Sequence, residues 1–289
     1  FQLAIVSGKG GTGKSSICAA LSYVARNDVV VADCDVDAAD LHLILKPEHS
    51  DARDFYSGLL AGIDPARCIA CGLCAQKCRF DAIEFQEDSY RVKALDCEGC
   101  GYCYYLCPQH AISLNEQKVG QFIVSETRYS CTLVHARLDI GANNSGKLVA
   151  KVKNEAKHRA ELEGKSYLIV DGSPGIGCPV ISSLSGADFV ILVTEASKSG
   201  LSDLKRVWEL LLLFKIPGAC IINKADINPE ISSTIQSFLQ KNKIHYLGDI
   251  PYSDDFHHAI AMGRNLIEEN ETRWLPVFQN YWEAIKEKI

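Results

Sequence analysis

Short, nearly continuous runs of Val, Ile, Leu and Ala alternate along the chain with longer stretches in which apolar residues recur every three to four positions. FQLAIVS (1–7), VVVAD (29–33), YLIVD (167–171), FVILVTEA (189–196) and ACIIN (219–223) are of the first kind. Such runs read as strands, and their near-continuous apolarity as burial on both faces. Residues 14–26, 145–163, 201–214, 230–242 and 254–268 are of the second kind and read as helices. So does the C-terminal WLPVFQNYWEAIKEKI, with Leu275, Phe278, Trp282, Ile285 and Ile289 on one face. Strand and helix in alternation predict an α/β fold, a mostly parallel, doubly wound sheet.

Between 63 and 117 this rhythm stops and cysteines take over, in CIACGLCAQKC (68–78) and CEGCGYCYYLCP (97–108). Both runs follow CxxCxxCxxxC, the bacterial two-cluster ferredoxin spacing, in which the fourth cysteine of each run ligates the other run's cluster. Tetrahedral zinc sites use separated CxxC pairs instead. The resemblance to ferredoxins implies two 4Fe-4S clusters, one on Cys68, Cys71, Cys74 and Cys107, the other on Cys97, Cys100, Cys103 and Cys78. The second run closes with Pro108 but the first with Arg79. That change leaves an N–H and a cation near one cluster, so the two need not share a potential. A segment this short buries too little surface to fold unaided, so ligation is expected to staple it. The expected organisation is 1–62 and 118–289 as two parts of one α/β domain, with 63–117 an inserted α+β ferredoxin domain. The polar tract KPEHSDARD (46–54) flanks the insert.

Composition narrows the function. The 289 residues are 47% apolar and 23% charged, which suits one large core or two domains. A formal charge of -6 leaves no basic field, so nucleic acid or an anionic membrane as main partner is disfavoured. No apolar run reaches eighteen residues, and FQLAIVS carries no charged n-region or cleavage site. A cytoplasmic protein is expected. The lone methionine is Met262, so an initiator is expected upstream of Phe1. Thirteen cysteines, mostly clustered, point in a reducing compartment to metal rather than disulfides.

The first strand runs into GKGGTGKS (8–15), which fits GxxxxGK[ST] between a strand and a helix. Gly8, Gly10, Gly11, Thr12 and Gly13 let backbone N–H groups close on phosphate, and the helix N-terminus from Lys14 to Ser16 adds positive potential. Lys14 neutralises charge and Ser15 can hold Mg2+. Lys9 is surplus to one cradle: it is either solvated or meant for another phosphate.

GKGGTGKS resembles the deviant Walker A of the MinD, Mrp, ParA and nitrogenase iron-protein superfamily, in which the early lysine reaches a dimer partner's nucleotide. Lys9 occupies that position. In VVVADCDVDAADL (29–41), Asp35 falls where the resemblance implies the carboxylate that orients attacking water, with Asp33 the alternative. Asp171 ends YLIVDGSPGIG (167–177) as the Walker B-like acid, ahead of a switch II-like loop. Asn223, in ACIINKAD (219–226), matches the base-contacting position, and Pro251, in IPYSDDF (250–256), the segment closing the base pocket. NKAD also fits the guanine-reading NKxD through Asp226, so GTP competes with the favoured ATP. The whole order resembles MinD-superfamily ATPases that contain an inserted ferredoxin domain.

That resemblance implies an ATPase, as homodimer or paralogue heterodimer, in which nucleotide state gates electron transfer to a redox partner. The alternatives are a Mrp-like metallocofactor carrier serving an apo-metalloprotein acceptor, and MinD-like positioning on a membrane. Cys178, with Cys131 as companion, is a candidate for a third cluster; Cys18, Cys34 and Cys220 read as core. His257 and His258 diverge by about 100° on a helix and read as solvated. The balanced charges of the C-terminal helix favour packing on the domain over lipid.

Overall fold

The computed structural model describes residues 1–36, 39–139 and 145–288. In chain order the elements are β1 (Gln2–Ser7), α1 (Lys14–Val24), β2 (Val29–Asp33), α2 (Leu41–Leu45), β3 (Pro47–Ile63), α3 (Leu73–Lys77), β4 (Ile83–Gln86), β5 (Ser89–Val92), α4 (Tyr102–Leu106), β6 (Ile112–Thr127) and β7 (Thr132–Leu138). There follow α5 (Ser145–Leu162), β8 (Tyr167–Asp171), α6 (Cys178–Leu184), β9 (Phe189–Glu195), α7 (Lys198–Phe214), β10 (Gly218–Asn223), α8 (Pro229–Lys241), β11 (His245–Ile250), α9 (Asp255–Ala261), α10 (Leu266–Glu269) and α11 (Glu271–Lys286). Contacts divide the chain into two units. The first holds Phe1–Arg53, Phe122–Arg137 and the chain from Ser145 onward; the second holds Asp54–Gln121 with Leu138 and Asp139.

The strand order is β11-β10-β9-β1-β8-β2-β7-β6-β3. From β11 to β7 every neighbouring pair is parallel. Because β1 lies between β8 and β9, the carboxyl ends of β1, β2, β8 and β10 open on one edge, where ligands of such sheets sit. Strand pairing sets Asp33 opposite Asp171 and Asn223 opposite Glu195 at that edge.

From Pro47 the polar tract 46–54 forms the exposed start of β3, last in the sheet order. An edge strand needs no apolar face there, and charges on it deter pairing with other chains. Backbone and hydroxyl bonds pair Lys46 with Arg128, Ser50 with Ser125 and Asp64 with Ala111, the descending register of antiparallel strands.

In the first unit, α11 buries Trp274, Phe278, Tyr281, Trp282 and Ile285 in one core with Leu3, Ile5, Ile17 and Leu21. Trp274 and Tyr281 join the expected seam, Leu275 is only partly buried, and Ile289 lies outside the described residues. The helix expected over 254–268 is two, α9 and α10. Gly263 breaks it at φ +57, and Asn265 restarts it with a capping box closed by Glu268. No helix among the described residues is long and apolar enough to cross a membrane.

Beneath α2, the ring of His42 stacks on His135 of β7, with centroids 5.4 Å apart and planes 7° from parallel. His135 also meets the Ser125 hydroxyl at 3.3 Å. Burial, then the neighbouring His42, pushes the His135 pKa from 6.5 down to about 4. Unfolding therefore takes up a proton in that window, so stability is full above about pH 6.5 and falls as pH drops toward 4. The loss reaches at most about 3 kcal/mol. Urea midpoints at pH 7 and 4.5 are expected to differ less in His135→Gln than in the parent; equal differences would refute this.

Candidate nucleotide site and cysteine cavities

The glycine loop leaves β1 at Ser7 and enters α1 at Lys14 through Gly13, whose φ of +87 suits glycine. A Cβ there would lie 2.5 Å from the Asn223 Nδ2. Asn223, buried at the end of β10, donates Nδ2–H to the Thr12 carbonyl at 2.8 Å, and Lys224 Nζ donates to the Gly11 carbonyl at 3.1 Å. The second strand from the sheet edge thus fixes a loop more than two hundred residues earlier in the chain.

Lys14 is buried and donates to Asp171 Oδ1 at 2.6 Å, with Asp35 at 3.6 Å. Burial opposes its charge, yet Asp171, Asp35 and Asp33 together hold its pKa above the ordinary lysine value. Burial and then Asp171 push Asp33 well above the carboxylate range. Both Asp33 oxygens accept backbone N–H groups, from Asp35 at 3.1 Å and Leu41 at 3.2 Å, so Asp33 shapes the turn that carries Asp35. The Ser173 hydroxyl donates to the Cys34 carbonyl at 2.7 Å, linking the loop after β8 to that turn.

Of these groups Lys14, Asp35 and Ser173 line a cavity of about 390 Å³, together with residues that include Ser7, Gly10–Ser16, Leu43 and Ile260. Among the described residues, Thr12 Oγ1 and Asp171 Oδ2 are buried with no hydrogen-bond partner. His42 Nδ1, Arg128 Nε, Trp208 Nε1 and Glu269 Oε2 are likewise unpaired, but Thr12 and Asp171 are the two in the phosphate loop and at the end of β8, where a bound phosphate or cation would supply the partner. Lys9 does not line the cavity. Its Nζ meets Glu195 at 2.5 Å and Ser199 Oγ at 3.0 Å. Burial opposes the charge on Glu195, but Lys9 and Lys224 keep its pKa below the usual range. Asp226 Oδ1 accepts the Tyr252 N–H at 2.6 Å, beside the exposed Pro251. Sequence reasoning missed Glu195, whose signal was a carboxylate closing an otherwise apolar strand.

In the second unit, α3 and α4 each start at a glycine with φ near +77, Gly72 and Gly101, and β4 pairs with β5 as a hairpin. One cavity, about 20 Å³, is lined by Cys68, Cys71, Cys74 and Cys107. The other, about 630 Å³, is lined by Cys78, Cys97, Cys100 and Cys103, with Cys74 in the shared wall. Each groups three cysteines of one run with the fourth of the other. Among the described residues no three His, Cys, Asp or Glu converge as they would on a single metal ion; these thiols surround voids instead. Burial pushes the Cys74 and Cys103 thiols up.

Cys18, Cys34 and Cys220 are buried, and so is Cys131, which sits 3.1 Å from the Thr127 hydroxyl. Cys178 is exposed at the start of α6. Cys131 precedes β7 and Cys178 follows β8, and both strands run parallel to β2. The two thiols therefore lie toward opposite ends of the sheet and cannot be companions within one chain. His257 and His258 are exposed on α9.

Residues 3–267 match the model of a family described as CobQ/CobB/MinD/ParA nucleotide binding domain. The chain is 34% identical over 292 residues to an uncharacterised protein of Methanocaldococcus jannaschii, covering 100% of this chain and 98% of that one. Among solved structures it resembles the cell division ATPase MinD of Pyrococcus furiosus, at 17% identity and TM-score 0.57, over 100% of this chain and 99% of the other. The septum site-determining protein MinD of Pyrococcus horikoshii, complexed with Mg-ADP, gives 18% and 0.56 over 98% and 95%. At such identities the two structures speak for the fold alone.

Proposed function

Because the chain belongs to the CobQ/CobB/MinD/ParA nucleotide-binding family, we propose that it is a dimeric, ATP-hydrolysing iron–sulfur protein whose nucleotide state gates electron transfer to a partner protein. The observation that carries this reading is the sorting of eight cysteines into two crossed sets around two voids, in a chain that also has a phosphate cradle. Cys68, Cys71, Cys74 and Cys107 would hold one 4Fe-4S cluster, and Cys97, Cys100, Cys103 and Cys78 the other. Such clusters supply reversible one-electron storage.

Within the cradle, the backbone of Gly8 to Gly13 and Thr12 Oγ1 receive the phosphates, and Lys14 neutralises them. Ser15 and the orphaned Asp171 Oδ2 fit Mg2+. Asp35, held beside Lys14 by the Asp33 turn, is placed to orient water. Adenine is favoured over guanine because Asp226, the residue that would read guanine, is engaged by the Tyr252 backbone. The Mg-ADP in the Pyrococcus horikoshii relative agrees with that choice. The apolar face of α11 is spent in the core, which weighs against lipid binding. The inserted segment and the two flanking parts act as redox module and motor.

A coupling of about 1 to 3 kcal/mol would move a one-electron potential by roughly 45 to 130 mV, enough to gate transfer. Anaerobic purification, iron analysis and EPR potentiometry with and without ATP test this. Iron for two clusters per chain and a nucleotide-dependent potential are expected. Iron-free protein, or potentials identical in both states, would overturn the reading.

A further inference from the structure

The insert carries six Lys and Arg residues between Asp54 and Gln121. Four are engaged: Lys93 with Asp96 at 2.8 Å, Lys118 with Asp54 at 2.7 Å, Arg91 with Glu87 at 3.9 Å, and Arg67 with the Gln109 carbonyl at 3.1 Å. Lys77 and Arg79 are exposed, and among the described residues neither side chain makes an ion pair or hydrogen bond. Both line the larger cysteine cavity, on either side of Cys78. Phe80 and Tyr102, 45% and 54% exposed, line it too. Among the described residues, no Lys or Arg lines the smaller cavity.

The charge around this mouth runs against its surroundings. The chain as a whole is at -6, and Asp81, Glu84, Glu87 and Asp88 crowd the nearby β4–β5 stretch of sequence. Among the described residues, Glu98 alone opposes the two cations in the cavity lining. Exposed aromatic rings next to arginine are the composition of protein interfaces, whereas free cations on a merely solvated face would have no reason to ring one opening. Complementary charge speeds encounter and fixes orientation.

We propose that Lys77, Arg79, Phe80 and Tyr102 form the docking surface for a small acidic electron-carrier protein, and that electrons cross at the cavity lined by Cys78, Cys97, Cys100 and Cys103. This rests on the iron–sulfur reading above. One electron passes per encounter: the donor is oxidised, the acceptor reduced, and no bond is made or broken. The other cavity, walled by residues such as Ile63, Leu73 and Ile112, relays rather than docks.

The test uses a strongly acidic flavodoxin as probe and the full, anaerobically purified chain. Calorimetry measures affinity against salt, and stopped-flow absorbance measures transfer. Lys77→Glu/Arg79→Glu is expected to weaken affinity and the second-order rate constant about tenfold or more at low salt. Lys77→Gln/Arg79→Gln is expected to fall between, with the parent's affinity declining as salt rises. The control Arg91→Glu/Lys93→Glu, on the hairpin, stays within about twofold of the parent. Parental affinity in the charge-reversed variant, no binding by the parent, or an equal loss in the control would each overturn the docking surface. Iron content and visible absorbance, read on the same samples, report separately on whether the clusters are present.

Discussion

Lys9→Ala is expected to lower ATP turnover by about a thousandfold or more while leaving nucleotide affinity within a few-fold of the parent. The size is that of removing a cation supplied in trans to a transferring phosphoryl group. The selectivity follows from the geometry of the single chain. Its own cradle is complete without Lys9: Lys14 is the buried cation, Asn223 and Lys224 fix the loop, and Lys9 is absent from the cavity lining. Lys9 is drawn to Glu195 and Ser199 instead. The pair is half-buried, but Glu195 keeps Lys224 as a second cation at 3.3 Å, so the variant should melt near the parent temperature. Phosphate release and fluorescent-nucleotide titration on one preparation separate the two effects. Unchanged turnover would remove the trans role, and affinity falling in step with turnover would make Lys9 part of its own chain's cradle.

What sequence could and could not reveal follows from the range of the interactions. GKGGTGKS between a strand and a helix was legible because its chemistry is local. The buried strands were legible because both faces are apolar. The start of β3 was not, because an exposed edge strand has no apolar face to alternate. The break between α9 and α10 was signalled by Gly263 and by Asn265 three residues before Glu268, but apolar spacing from Ile260 through Ile267 carried the helical reading across it. The roles of Asn223 and Glu195 lie in contacts 211 and 186 residues apart, which no local pattern encodes. Chemistry alone makes Cys131 a companion for Cys178. Strand direction, invisible before the sheet order is known, puts them at opposite ends.

Lys14→Met is expected to remove nucleotide binding and to cost about 3 kcal/mol of stability even without nucleotide. Asp171 and Asp33 are fully buried, and Lys14 is the cation that compensates them. Taking one partner from a buried set leaves uncompensated charge, with a penalty of about 3 to 5 kcal/mol. Methionine preserves the volume, so little of the loss arises from a cavity. The penalty should depend on pH in a definite direction. Lys14 is one of the influences that lower the Asp33 pKa, against the burial that raises it. Without it Asp33 climbs further above its unfolded value. A carboxyl raised on folding contributes stability below its unfolded pKa and loses it as pH rises through the folded one. The deficit of the variant should therefore be larger at pH 8 than at pH 5.5, as read from urea midpoints against the parent. A deficit that is flat with pH, or none at all, would mean that Asp33 is already neutral in the parent and that Lys14 is not balancing it.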